Sequence, residues 1–160
     1  METILPSKRL HAAAPELESH LGYWLRSVSN HVSGAFAKGL QAKHTSVAEW
    51  VVLCLVQKQP GVTPGKLADG LNLTRGAISK VIDKLEAKDW VACTTRPEDS
   101  RVRSLSLTRA GSRILPRLAE IADENDRKFF GGLDKSERAT LQRLLVKLAE
   151  LHHIRNIPIE

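Results

Sequence analysis

Residues 63–88 constrain the fold most, because two helix start signals occur there in close succession. Thr63 precedes Pro64, which is the order expected when proline occupies the first position of a helix. A tight turn at residues 71–73 ends this short helix. Thr74 is then placed to cap a second helix that runs to about Lys88. The segment therefore predicts two consecutive helices that meet at a sharp turn.

The second of these helices is amphipathic, with apolar residues at spacings of three and four that form one core-facing stripe. These residues are Ile78, Val81, Ile82 and Leu85. The opposite face and its flanks are mostly polar: Arg75, Gly76, Ser79, Lys80, Asp83 and Lys84. Such a pair of helices is a helix-turn-helix, whose second helix enters the major groove of DNA. A solvated surface helix has the same pattern, and Asp83 repels phosphate, so the helix alone does not decide the function.

A β-hairpin is predicted directly after this helix. Residues 90–95 and 102–107 are rich in β-branched residues and alternate, which indicates two strands. The polar turn between them, residues 96–101, contains Pro97. Three arginines of the hairpin, Arg96, Arg101 and Arg103, are candidates for contacts in a neighbouring minor groove.

Long helices are predicted on both sides of this unit. We expect one from Glu16 to about Gly39, one that starts at a Ser46–Glu49 capping box, and one from a Thr108 cap to about Phe130. The last of these three contains Pro116, which predicts a kink. A final leucine-rich helix follows a second capping-box pattern at Asp134.

These patterns predict one domain, mainly α with a small β-hairpin wing. Its parts are an N-terminal arm at 1–15, a winged helix-turn-helix domain at 16–152 and a C-terminal tail at 153–160. The reading head spans about 46–108. The long helices at about 16–40 and 109–152 carry apolar stripes that a chain of 160 residues has little else to cover. We expect them to form a homodimer, and an intramolecular helical bundle is the alternative.

The sequence from Lys66 to Lys88, with Pro97-Glu-Asp99-Ser-Arg101 and Leu105-Ser-Leu-Thr108-Arg-Ala-Gly111, resembles the MarR family of bacterial transcriptional regulators. The resemblance covers about 16–152 and implies a dimeric winged helix-turn-helix that binds a palindromic operator. It also implies that Arg101 enters the minor groove and that Asp99 helps to orient the wing arginine. Two positions depart from the family pattern: Asp89 stands where many members have Gly, and Cys93 where many have Arg.

Two sets of site residues follow. The expected DNA contacts are Thr74, Arg75, Gly76, Ser79, Lys80, Lys84, Arg96, Asp99, Arg101 and Arg103. Many family members bind phenolic or anionic effectors, and here Trp24, His31, Trp50 and Arg113 are the candidates to line such a site. For Trp24 and Trp50, a plain core role is the alternative.

Composition excludes several other classes of protein. The net charge of +6 permits nucleic acid as a partner but does not require it, since the charge is spread along the chain. The longest apolar run, residues 50–56, is far shorter than the ~20 residues of a membrane span. No secretory signal is visible, and two cysteines form no disulfide framework. We therefore expect a cytoplasmic protein.

No pattern of catalytic or metal-binding residues is present, so the sequence predicts neither an enzyme nor a metal or cofactor protein. Cys54 lies in an apolar helix, which indicates an inert core residue. Cys93 lies near basic residues, but redox sensing is the less favoured interpretation. The predicted function is sequence-specific binding of double-stranded DNA by a homodimeric repressor, with release by a small effector left open. A ligand- or protein-binding module on a winged-helix scaffold is the alternative.

Overall fold

A computed structural model describes residues 16–96, 99–155 and 157–159; at positions 96 and 99–102 it describes the backbone only. The chain divides into two compact units, one up to His31 and one from Val32 onward. The helices begin and end as follows: α1 Leu21–Gln41, α2 Val47–Lys58, α3 Pro64–Leu71, α4 Arg75–Ala87, α5 Arg109–Phe130 and α6 Lys135–Leu151. The strands are β1 Val91–Arg96 and β2 Asp99–Leu107. This mainly helical fold with one antiparallel hairpin confirms the predicted fold class.

In the first unit, the predicted start of the first helix at Glu16 is wrong. A 3₁₀ turn at Leu17–Ser19 comes first, and α1 begins at Leu21 after an extended His20. The hydroxyl of Ser19 donates to the carbonyl oxygen of Glu16 at 2.7 Å. Such local side-chain bonds to the backbone compete with the α-helical pattern, which delays the helix.

The predicted end of α1 near Gly39 agrees with the structure to within two residues, because the helix continues to Gln41. Gly39 is a packing position and not a helix terminus. A Cβ atom at Gly39 would lie 2.6 Å from Cγ2 of Ile121 on α5. Glycine at this position therefore lets the end of α1 approach α5 closely.

The second unit has its core where α2, α3, α4 and the hairpin meet. The core contains the apolar stripe of α4, with Ile78, Ile82 and Leu85 each at most 1% exposed. Val81, which the sequence placed in the same stripe, is only partly buried. The buried Leu53 of α2 and Leu118 of α5 belong to the same cluster. Since one side of α4 is fixed in this core, its opposite side is exposed.

The helix starts in this unit follow the predicted caps. Ser46 and Glu49 form a reciprocal capping box at the start of α2. The hydroxyl of Thr63 accepts from the amide of Lys66, and that of Thr74 accepts from the amide of Ala77. These contacts satisfy amide groups that have no partner within their own helices.

The hairpin is longer than predicted. β2 begins at Asp99 and not at Val102, and β1 extends to Arg96, because backbone pairing continues beyond a register shift next to Thr95. On its other edge, the amide of Leu105 donates to the carbonyl oxygen of Val62 at 2.9 Å. This extra bridge joins the hairpin to the loop before α3.

At the junctions between α4, the hairpin and α5, the backbone conformation restricts which residue types fit. Asp89 adopts a left-handed conformation, with φ of 55°, in the position where the family often has Gly. Thr108 caps α5 by accepting from the amide of Gly111. A Cβ atom at Gly111 would collide with the carbonyl oxygen of Trp90, so the close approach of the two backbones requires glycine there.

The two last helices have the predicted order and caps. α5 runs continuously through Pro116 and is capped at its end by Gly131; the kink at Pro116 stays a prediction. Asp134 and Glu137 form a capping box at the start of α6. Across the described part of the chain, no helix is both long and apolar enough to cross a membrane.

Candidate nucleic-acid interface

The exposed face of α4 carries the polar residues that the sequence singled out. Arg75, Gly76, Lys80 and Lys84 are exposed, whereas Ser79 is partly buried. The hydroxyl of Thr74 is used as the helix cap, since it accepts from the amide of Ala77 at 3.1 Å. This arrangement presents two lysines and one arginine on one side of a helix that is fixed from behind by the core. Such a face fits a major groove, whose width of about 12 Å admits a helix.

The C-terminal end of α4 is anchored by a partly buried ion pair. The Lys88 ammonium donates at 2.6 Å both to Oε1 of Glu49 on α2 and to the carbonyl oxygen of His44. The Glu49 side chain is only 5% exposed. Burial raises the pKa of Glu49, but hydrogen bonds from Lys88 and Ser46 and the Lys88 charge outweigh it, so the pKa is lowered. Lys88 therefore fixes the end of α4 to the start of α2.

Arg103 on β2 lies beside α4 and is held by two side chains. Its Nε donates to Sγ of Cys93 at 3.0 Å, and its Nη2 lies 3.5 Å from a carboxylate oxygen of Glu86. The hydrogen bond to Cys93, with smaller effects of the Glu86 and Asp83 charges, raises the pKa of Arg103. Cys93 pairs with Leu105 in the hairpin, so Arg103 is its diagonal neighbour on the same face. The guanidinium is thus anchored next to the helix.

The predicted contacts at the tip of the hairpin lie largely outside the described residues. The strands include Arg96, Asp99 and Arg101, but their side chains are not described. Pro97 and Glu98 lie outside the described residues altogether. The contacts predicted for Arg96, Asp99 and Arg101 stay predictions.

The effector candidates fall in both units. In the first unit, Trp24 is 52% exposed, and its indole N–H donates to the carbonyl oxygen of Glu18. His31 is also exposed, and its Nδ1 lies 2.9 Å from the carbonyl oxygen of Ser27. In the second unit, Trp50 packs edge-on against Phe36 with ring centroids 5.0 Å apart, and Arg113 is exposed. Within the described part of the chain, no acceptor reaches the buried indole N–H of Trp50.

A cavity of about 720 Å³ lies in the second unit between the end of α1 and α5. Gly39 and Asn125 are among its lining residues, with the cations Lys43 and Arg117 at its edge. Neither Trp50 nor Arg113 lines it. The expected effector site and this cavity are therefore different places in the second unit.

Comparison with known proteins places the chain among transcriptional regulators. A model of the MarR family matches residues 45–102, which include α2, α3, α4 and the start of the hairpin. The multiple antibiotic resistance protein MarR of Escherichia coli is 26% identical over 80% of this chain and 90% of its own length. Over these residues the chain is similar to the MarR family.

A crystal structure of a mutant of E. coli MarR complexed with operator DNA superimposes with a TM-score of 0.68 at 26% identity, covering 80% of this chain and 92% of that chain. A putative transcriptional regulatory protein for the hcr operon of Thauera aromatica is 32% identical over 61% of this chain, and the match spans 58% of that relative's length. Bordetella bronchiseptica BpsR, solved to explain regulation of its DNA binding by 6-hydroxynicotinic acid, superimposes with a TM-score of 0.70 at 23% identity, covering 86% of this chain and 98% of that chain.

These matches agree with the class predicted from the sequence, a DNA-binding transcriptional regulator similar to the MarR family and not an enzyme. Within the described residues, no group of three His, Cys, Asp or Glu side chains is placed to hold a metal ion. Burial raises the pKa of the Cys54 thiol. An elevated pKa suits the inert role that the sequence suggested for this residue.

Sequence reasoning missed three contacts made by the predicted arginines. Glu86 and Cys93 hold Arg103, and Gly65 at the start of α3 lies against the Arg75 guanidinium. The strand register, which makes Cys93 and Arg103 diagonal neighbours, was the signal that could have revealed one of these contacts. Nothing in the spacing of residues along the chain indicates the other two.

Proposed function

We propose that this protein is a homodimeric MarR-family repressor that binds a palindromic operator with two α4 helices and two hairpin wings. In this proposal, residues 16–40 and 109–152 form the dimer and residues 46–108 read DNA. The observation that carries the DNA-binding role is the exposed face of α4, which presents Lys80 and Lys84 while the buried Ile82 fixes the opposite side.

The dimer is supported by apolar side chains that the single chain leaves uncovered. The helix α6 has 17 residues and none of them is buried. Leu144, Leu148 and Leu151 lie on one side of this helix, and they are 46%, 46% and 62% exposed. In the first unit, Leu21 is 88% exposed. Contiguous exposed apolar surface is typical of an interface, and a two-fold dimer brings the same face of each subunit together.

The dimer is tested by measuring molar mass with light scattering after size exclusion. Wild-type protein is expected at twice the chain mass of 17.7 kDa, whereas Leu148→Glu is expected to shift toward the monomer because it places a charge in the apolar face. Gln142→Glu adds the same charge to an exposed position on α6 and serves as the matched control. A wild-type monomer that still binds DNA tightly contradicts the dimer.

Specific DNA binding is tested with gel shifts on fragments of the source genome. Retention of a few fragments from promoter regions, resistant to excess unrelated duplex, is the expected result. A module that binds only proteins or ligands, which is the alternative function, selects no fragment.

We further propose that a small aromatic or anionic effector releases the protein from its operator. The proposal is supported by BpsR, a structural neighbour whose DNA binding is regulated by 6-hydroxynicotinic acid. The candidate contacts in this chain are Trp24, His31, Trp50 and Arg113, of which Trp50 has a buried N–H donor to offer. Titration of 6-hydroxynicotinic acid and other aromatic carboxylates into the protein–operator complex is expected to reveal at least one that dissociates it.

A further inference from the structure

Two arginines converge on one cleft beside the first turn of α4. The cleft has a volume of about 400 Å³ and is formed by the starts of α3 and α4 together with β2. Its lining residues include Thr63, Gly65, Arg75, Ser79 and Arg103. The charged groups come from elements that are distant in sequence, so only the fold brings them together.

Arg75 extends across the start of α3. A Cβ atom built on Gly65 would lie 3.0 Å from Nη1 of Arg75 and 3.7 Å from its Cζ. The guanidinium therefore lies directly over the glycine. Within the described residues, no carboxylate lies within 4.0 Å of this guanidinium, so its charge is not neutralised there.

Arg103 reaches the same cleft from the hairpin. Cys93 and Glu86 hold its Nε and Nη2, which fixes the plane of the guanidinium and leaves other N–H groups for a ligand. Among the described residues, Glu86 is the one carboxylate within 4.0 Å of either guanidinium, and Asp83 adds a weaker effect on Arg103 from farther away.

We propose that this cleft holds one backbone phosphate of the operator, with Arg75 and Arg103 as its two ligands. The proposal rests on the proposed DNA-binding function of α4 and assigns a specific task to these two arginines. A guanidinium is a planar fork that matches the oxygens of a phosphate, and an anion between two guanidinium groups relieves their repulsion. The cleft adjoins the turn at which α4 begins, where a helix entering the groove passes the phosphates at its edge.

This assignment differs from what the sequence suggested for Arg103, which was a contact in the minor groove. It also gives Gly65 a role, because a Cβ atom at this position would crowd the Arg75 guanidinium and shift it by a few tenths of an ångström. Phosphate contacts fix the register of a protein on DNA but carry no sequence information directly. The two arginines are therefore expected to contribute affinity and not base preference.

The test compares four variants on the selected operator and on an unrelated duplex over a range of salt concentrations. Arg75→Gln removes the contact, and Arg155→Gln removes the same charge from an exposed position in the C-terminal tail. Gly65→Ala crowds the guanidinium and shifts it slightly without changing the charge. Gly70→Ala makes the same substitution in the same helix at a position where the new Cβ has no neighbour within 4 Å.

For Arg75→Gln we expect about a tenfold loss of affinity per protomer on both duplexes, because charge-assisted bonds to phosphate are lost. The ratio of specific to unspecific affinity is expected to stay constant, and the salt slope to fall by about one per protomer. Gly65→Ala is expected to give a smaller loss of the same kind. Gly70→Ala and Arg155→Gln are expected to bind like wild type.

Operators that carry a single methylphosphonate identify the phosphate. One symmetric pair of positions is expected to weaken wild-type binding while causing no further loss in Arg75→Gln. Inorganic phosphate at constant ionic strength is expected not to compete. Competition that depends on Arg75 assigns the cleft to a free anion and overturns the backbone contact.

Two results overturn the proposal while leaving the DNA-binding function intact. One is an Arg75→Gln variant that binds both duplexes with wild-type affinity. The other is an Arg75→Gln variant that loses affinity for the operator only and changes its base preference, because Arg75 then contacts bases and not a phosphate. A wild-type protein that binds no duplex overturns both the cleft and the function on which it rests.

Discussion

Replacement of Lys88 by methionine is expected to destabilise the fold strongly, although Lys88 is itself partly exposed. Methionine retains most of the side-chain volume but removes the partner of Glu49, whose side chain is 5% exposed. Breaking a buried pair from one side leaves an uncompensated charge and costs about 3–5 kcal/mol. Loss of the contact between the Lys88 ammonium and the Trp90 ring, at 4.8 Å, adds about 0.5–1 kcal/mol.

The reverse substitution, Glu49→Gln, is expected to cost less. Lys88 has a side chain that is 26% exposed, so its ammonium can turn toward water. The loss then approaches that of a hydrogen bond to a charged group, about 1.5–3 kcal/mol. The double variant Lys88→Met with Glu49→Gln is expected to be more stable than the sum of the two single losses implies, because it leaves no buried charge unpaired.

The measurement is urea unfolding followed by tryptophan fluorescence, at one fixed protomer concentration so that association contributes equally in every variant. The pKa of Glu49 is lowered in the folded protein, although burial acts in the opposite direction. The stability that the pair contributes is therefore present above the ordinary pKa of 4.5 and is lost as the pH falls through the lower folded value. The difference between wild type and Lys88→Met is expected to shrink in acid.

Additive losses in the double variant, or a difference between wild type and Lys88→Met that does not change with pH, would refute this reasoning. Either result means that Glu49 remains solvated or finds another partner when Lys88 is absent.

Three further predictions concern the hairpin, its junction with α5 and the DNA interface. Gly111→Ala is expected to lower the free energy of unfolding by several kcal/mol, because its Cβ collides with the carbonyl oxygen of Trp90, while Gly70→Ala has no such neighbour; equal unfolding midpoints contradict this. Arg101→Ala is expected to weaken operator binding without changing the unfolding midpoint, and unchanged affinity contradicts a role in the wing. If the dimer neutralises about six phosphates, log K against log salt concentration is expected to have a slope near −5, and a flat response contradicts backbone binding.

The local fold was largely predictable from sequence because its helix starts depend on neighbouring residues. Thr63, Thr74 and Thr108 cap the helices that the sequence assigned to them. The boundaries that failed depend on other contacts. Ser19 bonds to the backbone of Glu16 where the sequence suggested that α1 begins, and nothing in the sequence marks the register shift that lengthens the hairpin.

The sequence predicted which side of α4 is exposed, but it did not predict how α4 contacts α3 and β2. Periodicity alone separates the buried Ile78 from the outward-facing Lys84. By contrast, the cleft joins Arg75 to Gly65 and Arg103, which lie in three different elements. A sequence pattern shows which residues share an element, whereas contacts between elements depend on how the helices and the hairpin pack.

The central claim, that α4 reads the bases of a symmetric operator, is tested most directly by selecting bound sequences from a random pool of duplexes. The wild type is expected to enrich an inverted repeat with half-site centres about 10 base pairs apart. Lys80→Ala is expected to relax the preference at one symmetric pair of positions. The absence of any enriched sequence, or an identical preference in wild type and Lys80→Ala at every position, would contradict base reading through this face of α4.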